Sequence, residues 1–171
     1  MMFFLGEFCR QQNRLGEAEE WVRRSLTGHE KLCGLEYKLI LALLSTLGQI
    51  YTAQNNLSEA TVMLVQVLKG FDKVLSPNNL AVLKAVESLA FPYLSRGKLD
   101  EAEAMYERTL KGYERALGLE YEGVVQVTIH LSDIYSRRDK IAQSEKLLKR
   151  VMQGLEKIYG PDHTLTLHIV V

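Results

Sequence analysis

Apolar residues recur along this chain at three- and four-residue steps. Between Lys98 and Gly118, the residues Leu99, Ala102, Tyr106, Leu110, Tyr113 and Leu117 fall on one face of a helix, and Glu103, Glu107, Lys111 and Arg115 fall on the other. Lys98-Leu99-Asp100 gives this helix a polar start. Gly118 gives it a stop, because glycine takes the left-handed conformation without a side-chain penalty. A second helix is predicted from about Glu120 to Arg138, with Val124, Val127, Leu131, Ile134 and Tyr135 as its stripe. The other segments repeat this plan, with Gly34, Ser76 and Gly160 at the stops and Pro161-Asp162 as a start signal. No period-2 alternation of useful length occurs, so no sheet is predicted.

The same pattern returns every 42 residues. Ala18, Ala60 and Ala102 obey that step, and Ser144 takes the next position. So do Leu15, Leu57, Leu99 and Ile141; Leu26, Leu68, Leu110 and Met152; and Leu5, Leu47, Leu89 and Leu131. Gly28, Gly70, Gly112 and Gly154 follow it inside the second helix of each unit, as do Lys31, Lys73, Arg115 and Lys157. Tyr51, Tyr93 and Tyr135 share a position that Cys9 fills in the first unit. Each unit is a pair of helices that cannot bury its apolar face alone, so neighbouring pairs must stack into a solenoid with a continuous core. The unit boundaries are placed at 1–34 (first helix clipped), 35–76, 77–118, 119–160 and a partial 161–171, all in one array.

Composition narrows the functional classes. The chain has 171 residues, 47% of them hydrophobic, and 21 basic side chains balance 21 acidic ones. A neutral chain lacks the basic surplus of a nucleic-acid binder, and no apolar run spans a bilayer, so neither partner is expected. Met1-Met2-Phe3-Phe4-Leu5 has no basic flank and ends at Glu7, so it is not read as a leader. Cys9 and Cys33 stand where other units carry large apolar residues, so they read as buried hydrophobes in a reducing, cytoplasmic setting. No phosphate loop, HExxH, GxSxG or paired CxxC is present, so no cofactor, metal or catalytic site is expected, and the chain is read as not an enzyme. His163 and His168 are poorly spaced for one metal, Asp162 reads as a helix cap, and His29 and Trp21 read as packing residues.

Leu44-x-x-Leu47-Gly48-x-x-Tyr51, followed by Ala60-x-x-x-Leu64, resembles the tetratricopeptide pattern W-x-x-L-G-x-x-Y…A-x-x-x-F. The usual unit has about 34 residues. The longer unit here, with Gly97-Lys98-Leu99-Asp100-Glu101-Ala102-Glu103 and Gly160-Pro161-Asp162-His163-Thr164-Leu165, is similar to the kinesin-light-chain type. Gly112 also gives it a likeness to arrays attached to NOD-like NTPases. The resemblance covers nearly the whole chain. It implies an all-α, right-handed α-solenoid of helix-turn-helix repeats that serves as a non-catalytic protein-interaction scaffold, with a peptide or partner protein held on its concave face. The alternatives are a sensor or oligomerisation segment of a larger signalling NTPase, and a truncated repeat fragment without independent activity. Neither end carries a polar cap, so self-association through the uncapped ends is a further expectation.

In that family the first helices line the groove. Carried over by position, the partner-binding residues are Gln49, Lys84, Glu87, Phe91, Gln126, His130, Asp133 and Arg137, with Ser45, Thr52, Ser95 and Ile129 among their neighbours. Kinesin-light-chain repeats usually place Asn just before the signature Leu; this chain has Thr46, Ser88 and His130 there. The Lys/Asn/Arg set that clamps C-terminal carboxylates is also absent, with Ser45, Glu87 and Ile129 among its positions. Two irregularities complete the pattern. Pro92 removes a helical donor beside Phe91 and predicts a kink. The four glycines of the second helices predict close helix–helix approach.

Overall fold

The computed structural model describes the backbone of residues 2–30 and 37–170 and the side chains of 4–28 and 39–167. Every element in it is an α-helix, and no strand occurs among the described residues. The chain divides into two compact units, Met1–Pro77 and Asn78–Val171. The first holds α1 (Met2–Gln11), α2 (Leu15–Glu30), α3 (Tyr37–Ala53) and α4 (Leu57–Phe71). The second holds α5 (Leu80–Ser95), α6 (Leu99–Leu117), α7 (Glu122–Arg137), α8 (Ile141–Tyr159) and α9 (Thr164–Val170). In both units each helix packs on the next: α1 on α2, α2 on α3, α3 on α4; then α5 on α6, α6 on α7, α7 on α8 and α8 on α9. None of the described helices is long and apolar enough to cross a membrane.

The turn inside each helix pair is built one way four times. Asn13, Asn55, Gly97 and Asp139, at 42-residue steps, all take positive φ, between 58° and 72°. The residue after each sends its N–H back to the carbonyl of the tyrosine or cysteine five residues earlier: Arg14 to Cys9 (2.9 Å), Asn56 to Tyr51 (2.8 Å), Lys98 to Tyr93 (3.0 Å) and Lys140 to Tyr135 (2.8 Å). This is the Schellman closure, which satisfies carbonyls that the helix end would leave bare. Asparagine, aspartate and glycine tolerate the left-handed conformation best, which explains the residue types there. Between pairs, Gly118 (φ 83°) and Gly160 (φ 89°) end α6 and α8.

Two elements depart from the sequence expectation. α4 stops at Phe71, short of Ser76: Lys73 and Val74 donate to Gly70 and Phe71 in tight three-residue turns. Pro77 then restricts Ser76 away from helical angles, and Asn79 caps α5 by accepting the Ala81 N–H at 2.9 Å. At the other end, Asp162 is not the cap of α9. The ring Nδ1 of His163 accepts the Leu165 N–H at 3.2 Å, and the helix begins at Thr164. α5 runs unbroken through Pro92 to Ser95, with Pro92 buried in its last turn. Cys9 is buried and free, as expected, and Trp21 packs on the core of the first unit. Gly34, Cys33 and Lys31, and the side chain of His29, lie outside the described residues.

Within each pair the two helices meet through small side chains. Ala18, Ala60 and Ala102 are wholly buried and Ser144 nearly so. Facing positions of the first helices are small too: Gly6, Gly48, Ala90 and Ser132. A Cβ built on Gly48 would lie 2.7 Å from Leu64, and one on Gly6 2.7 Å from Val22. In the last pair Ser132 and Ser144 share a 2.6 Å hydroxyl contact. The second-helix glycines prove unequal. A Cβ on Gly112 would sit 2.5 Å from Leu83 Cδ1, and one on Gly154 would strike Leu119, whereas Gly28 faces open space among the described residues.

The glycine geometry gives a paired prediction. Gly112→Leu should cost about 1–3 kcal/mol of stability, because the added bulk must displace Leu83 from a full core. Gly28→Ala should gain up to about 1 kcal/mol from helix propensity alone. Chemical denaturation reads both; an unchanged midpoint for Gly112→Leu would show that the close approach to Leu83 is dispensable.

Candidate functional site

The carried-over residues fall on three first helices. Gln49 lies on α3 in the first unit, half-buried. The others lie in the second unit, Lys84, Glu87 and Phe91 on α5 and Gln126, His130, Asp133 and Arg137 on α7. Glu87 and Phe91 are four residues apart, so they share one face of α5. The Phe91 ring remains 39% exposed and meets the His130 ring edge-on at 6.0 Å between centroids, which links α5 to α7. His130 in turn stacks on Tyr106 of α6 at 5.0 Å. The result is a row of three rings, Phe91 outermost and Tyr106 fully buried.

Two carboxylates flank that row. Glu87 Oε2 accepts the Tyr113 hydroxyl at 2.5 Å. Burial pushes the Glu87 carboxyl above its ordinary value, against the Tyr113 hydrogen bond and the charge of Lys84, which lower it. Asp133 is held by Arg137 one turn along α7, with Asp133 Oδ2 2.9 Å from the guanidinium. Tyr106 senses both acids: burial first, then the charges of Glu87 and Asp133, drive its phenol well above the usual range. Burial followed by Glu87 does the same to Tyr113. His130 shifts the opposite way, because burial disfavours its cation more than Asp133 supports it. It is therefore a neutral ring at pH 7.

The three positions just before the signature leucines are engaged within the chain. Thr46 donates to Glu7 at 2.6 Å, Ser88 to the Lys84 carbonyl at 2.9 Å, and His130 is taken up in the ring stack. Elsewhere, a cleft of about 500 Å³ lies among α6, α7 and α8, with Leu110, Leu131 and Leu147 among its lining residues. Several of the charges at it are paired: Arg138 and Lys140 hold Glu103 at 2.6 and 2.7 Å, and Arg150 holds Glu114 at 2.7 Å. Among the described residues no three His, Cys, Asp or Glu side chains gather as a metal site.

Sequence reasoning placed Tyr106 and Tyr113 in a core stripe and missed their part in the site. A signal existed. The equivalents of Tyr106 in the other pairs are Val22, Leu64 and Leu148, and those of Tyr113 are His29, Phe71 and Leu155. Only the pair that carries Glu87 brings two phenols to it.

The profile of the tetratricopeptide repeat matches residues 1–73 and 81–157. The chain belongs to the tetratricopeptide-repeat family. A Podosopora anserina kinesin-light-chain-type protein of nearly identical TPR-like repeats superposes with a TM-score of 0.85 at 22% identity, over 98% of this chain and 79% of that one. BtubC (BKLC) from P. vanneervenii gives 0.78 at 18% identity over 95% and 63% of the two chains. The Rap protein complexed with Competence and Sporulation Factor gives 0.73 at 14% identity over 98% and 50%. No curated protein matches the sequence. The all-α tetratricopeptide fold implied by the sequence resemblance is thereby established, and repeats of this family are protein-interaction scaffolds.

The position of Glu87 in this tetratricopeptide pair predicts a pH dependence. Its folded pKa is raised, so the folded chain binds that proton more tightly than the unfolded chain. Its burial therefore costs stability as pH rises from the ordinary carboxyl value, about 4.3, through the folded pKa. Glu87→Gln, which still offers Tyr113 an acceptor, should raise the denaturation midpoint at pH 7, and the difference should vanish below about pH 4. A variant less stable than the native chain at pH 7 would contradict this.

Proposed function

We propose that this tetratricopeptide chain is a non-catalytic, cytoplasmic scaffold that holds a peptide or partner segment on the face made by α5 and α7. One observation carries the reading: Phe91 stands exposed on α5, braced by His130 and Tyr106, with Glu87 and Asp133 beside it. A braced aromatic is what an interface anchor requires, since the ring loses little freedom on binding. Lys84, Gln126 and Arg137 extend the same helices and supply polar contacts around it. Gln49 has the equivalent placement on α3 in the first unit. A repeat stack of the same architecture is solved with Competence and Sporulation Factor in the Rap protein, which supports a ligand-holding use of the fold.

Selection from a displayed random-peptide library tests the reading. The native chain should enrich peptides that bind Phe91→Ala/Asp133→Ala at least about tenfold more weakly, the scale of a lost central anchor. The variant should keep its helical circular dichroism, because both side chains sit at the edge of the core. Peptides that bind the native and variant chains equally would place recognition elsewhere.

A further inference from the structure

Resting on the proposed use of the α5/α7 face, we infer that this face selects a basic side chain, an arginine or lysine of the bound segment, and seats it against Phe91 and the Glu87 carboxylate. The inference comes from what surrounds Glu87. Oε2 takes the Tyr113 hydroxyl, a neutral donor. Oε1 has no partner among the described residues. It is also not sealed from solvent, since Thr128 Oγ1 is the one buried side-chain polar atom left unpartnered among them. No cation lies within ion-pair distance of Glu87 there either; Lys84, three residues back and exposed, acts on it only at longer range. The site thus holds a half-buried carboxylate with one open oxygen and no counter-charge in contact.

Three features around that oxygen favour a cation. Phe91 lies one helical turn on, and a helical side chain leans over the turn before its own Cα, which brings its ring toward Glu87. An aromatic face beside a carboxylate suits a guanidinium or ammonium group, which is attracted by both. His130, the nearest group on α7 able to carry a competing positive charge, is kept neutral by burial. Asp133 adds negative potential to the ring row from α7, where Arg137 pairs with it. The charge acting on Glu87 is then Lys84 on α5, with the Tyr113 phenol bonded to it from α6, while Asp133 on α7 acts on the Tyr106 and His130 rings beside it. An acidic ligand would meet the Glu87 carboxylate, which has no cation in contact, and lose by repulsion.

The peptides selected on the native chain provide the probe. Those that need Phe91 should share an arginine or lysine. Replacing that residue by citrulline or norleucine should weaken binding about tenfold, and Glu87→Gln should produce the same loss with the unmodified peptide. The two changes together should lose no more than either alone, and Glu87→Gln should flatten the salt dependence of affinity. Lys84→Ala, which removes the one opposing charge on α5, should tighten binding a few-fold. Fluorescence anisotropy of labelled peptides reads all of these. If Phe91-dependent peptides share no basic residue, or carry acidic ones, or bind Glu87→Gln unchanged, the inference is overturned while the α5/α7 face stands as the binding site. If no selected peptide depends on Phe91, both readings fall.

Discussion

The packing of this molecule depends on one steric constraint: within each helix pair, two small side chains must meet. Ala18, Ala60 and Ala102 have no exposed surface, and glycine, alanine or serine faces them from the first helix. At Gly48 and Gly6 even a methyl group would collide with Leu64 or Val22. Small residues let the backbones approach, and the large residues on either side, Leu47 and Ile50 or Leu131 and Ile134, then close over the contact as a dry core. The left-handed turns at Asn13, Asn55, Gly97 and Asp139 set the direction of return that makes the contact possible. Turn and contact recur at the same step, so each pair is solved the same way.

Successive pairs are joined by polar ties laid over this apolar base. In the first unit Tyr51 of α3 and Gln54 just beyond it both donate to Glu19 of α2 at 3.1 Å, and Arg23 pairs with the same acid. In the second unit Tyr135 of α7 donates to Glu107 of α6 at 3.0 Å, and Arg138 and Lys140 take Glu103. Burial and the bond to Glu107 lift the Tyr135 phenol to about 12. The tyrosine repeats, but its acid partner shifts by one helical turn and the arginine moves from the second helix to the first. Such ties are partly exposed and contribute modestly each. They fix register between pairs that the core alone would leave free to slide.

The candidate site arises where one pair departs from this shared solution. Tyr106 and Tyr113 replace aliphatic or aromatic side chains found at the same steps elsewhere, and Glu87 stands where the neighbouring pairs have Ser45 and Ile129. A carboxylate on a first helix has a burial cost, which the Tyr113 hydroxyl offsets in part. His130 braces Phe91 from α7 and stacks on Tyr106. The face therefore differs in chemistry from the other pairs of this chain while keeping their frame.

The sequence by itself determined the helices, their pairing and the family, because a period of 42 residues repeated over apolar, small and glycine positions admits few other folds. It also placed Phe91, His130, Glu87 and Asp133 on first helices, since helical spacing alone assigns a face. Tertiary structure decided the rest. The end of α4 at Phe71 and the cap at His163 depended on turn hydrogen bonds that periodicity does not encode. The inequality of Gly28 and Gly112 depended on whether a leucine from another helix arrives, which propensity cannot say. The joining of Glu87 to Tyr113, of Phe91 to His130 and of His130 to Tyr106 runs between residues 24 to 39 apart in sequence. Those distances are set by how three helices pack, so the residues were legible one by one and their assembly was not.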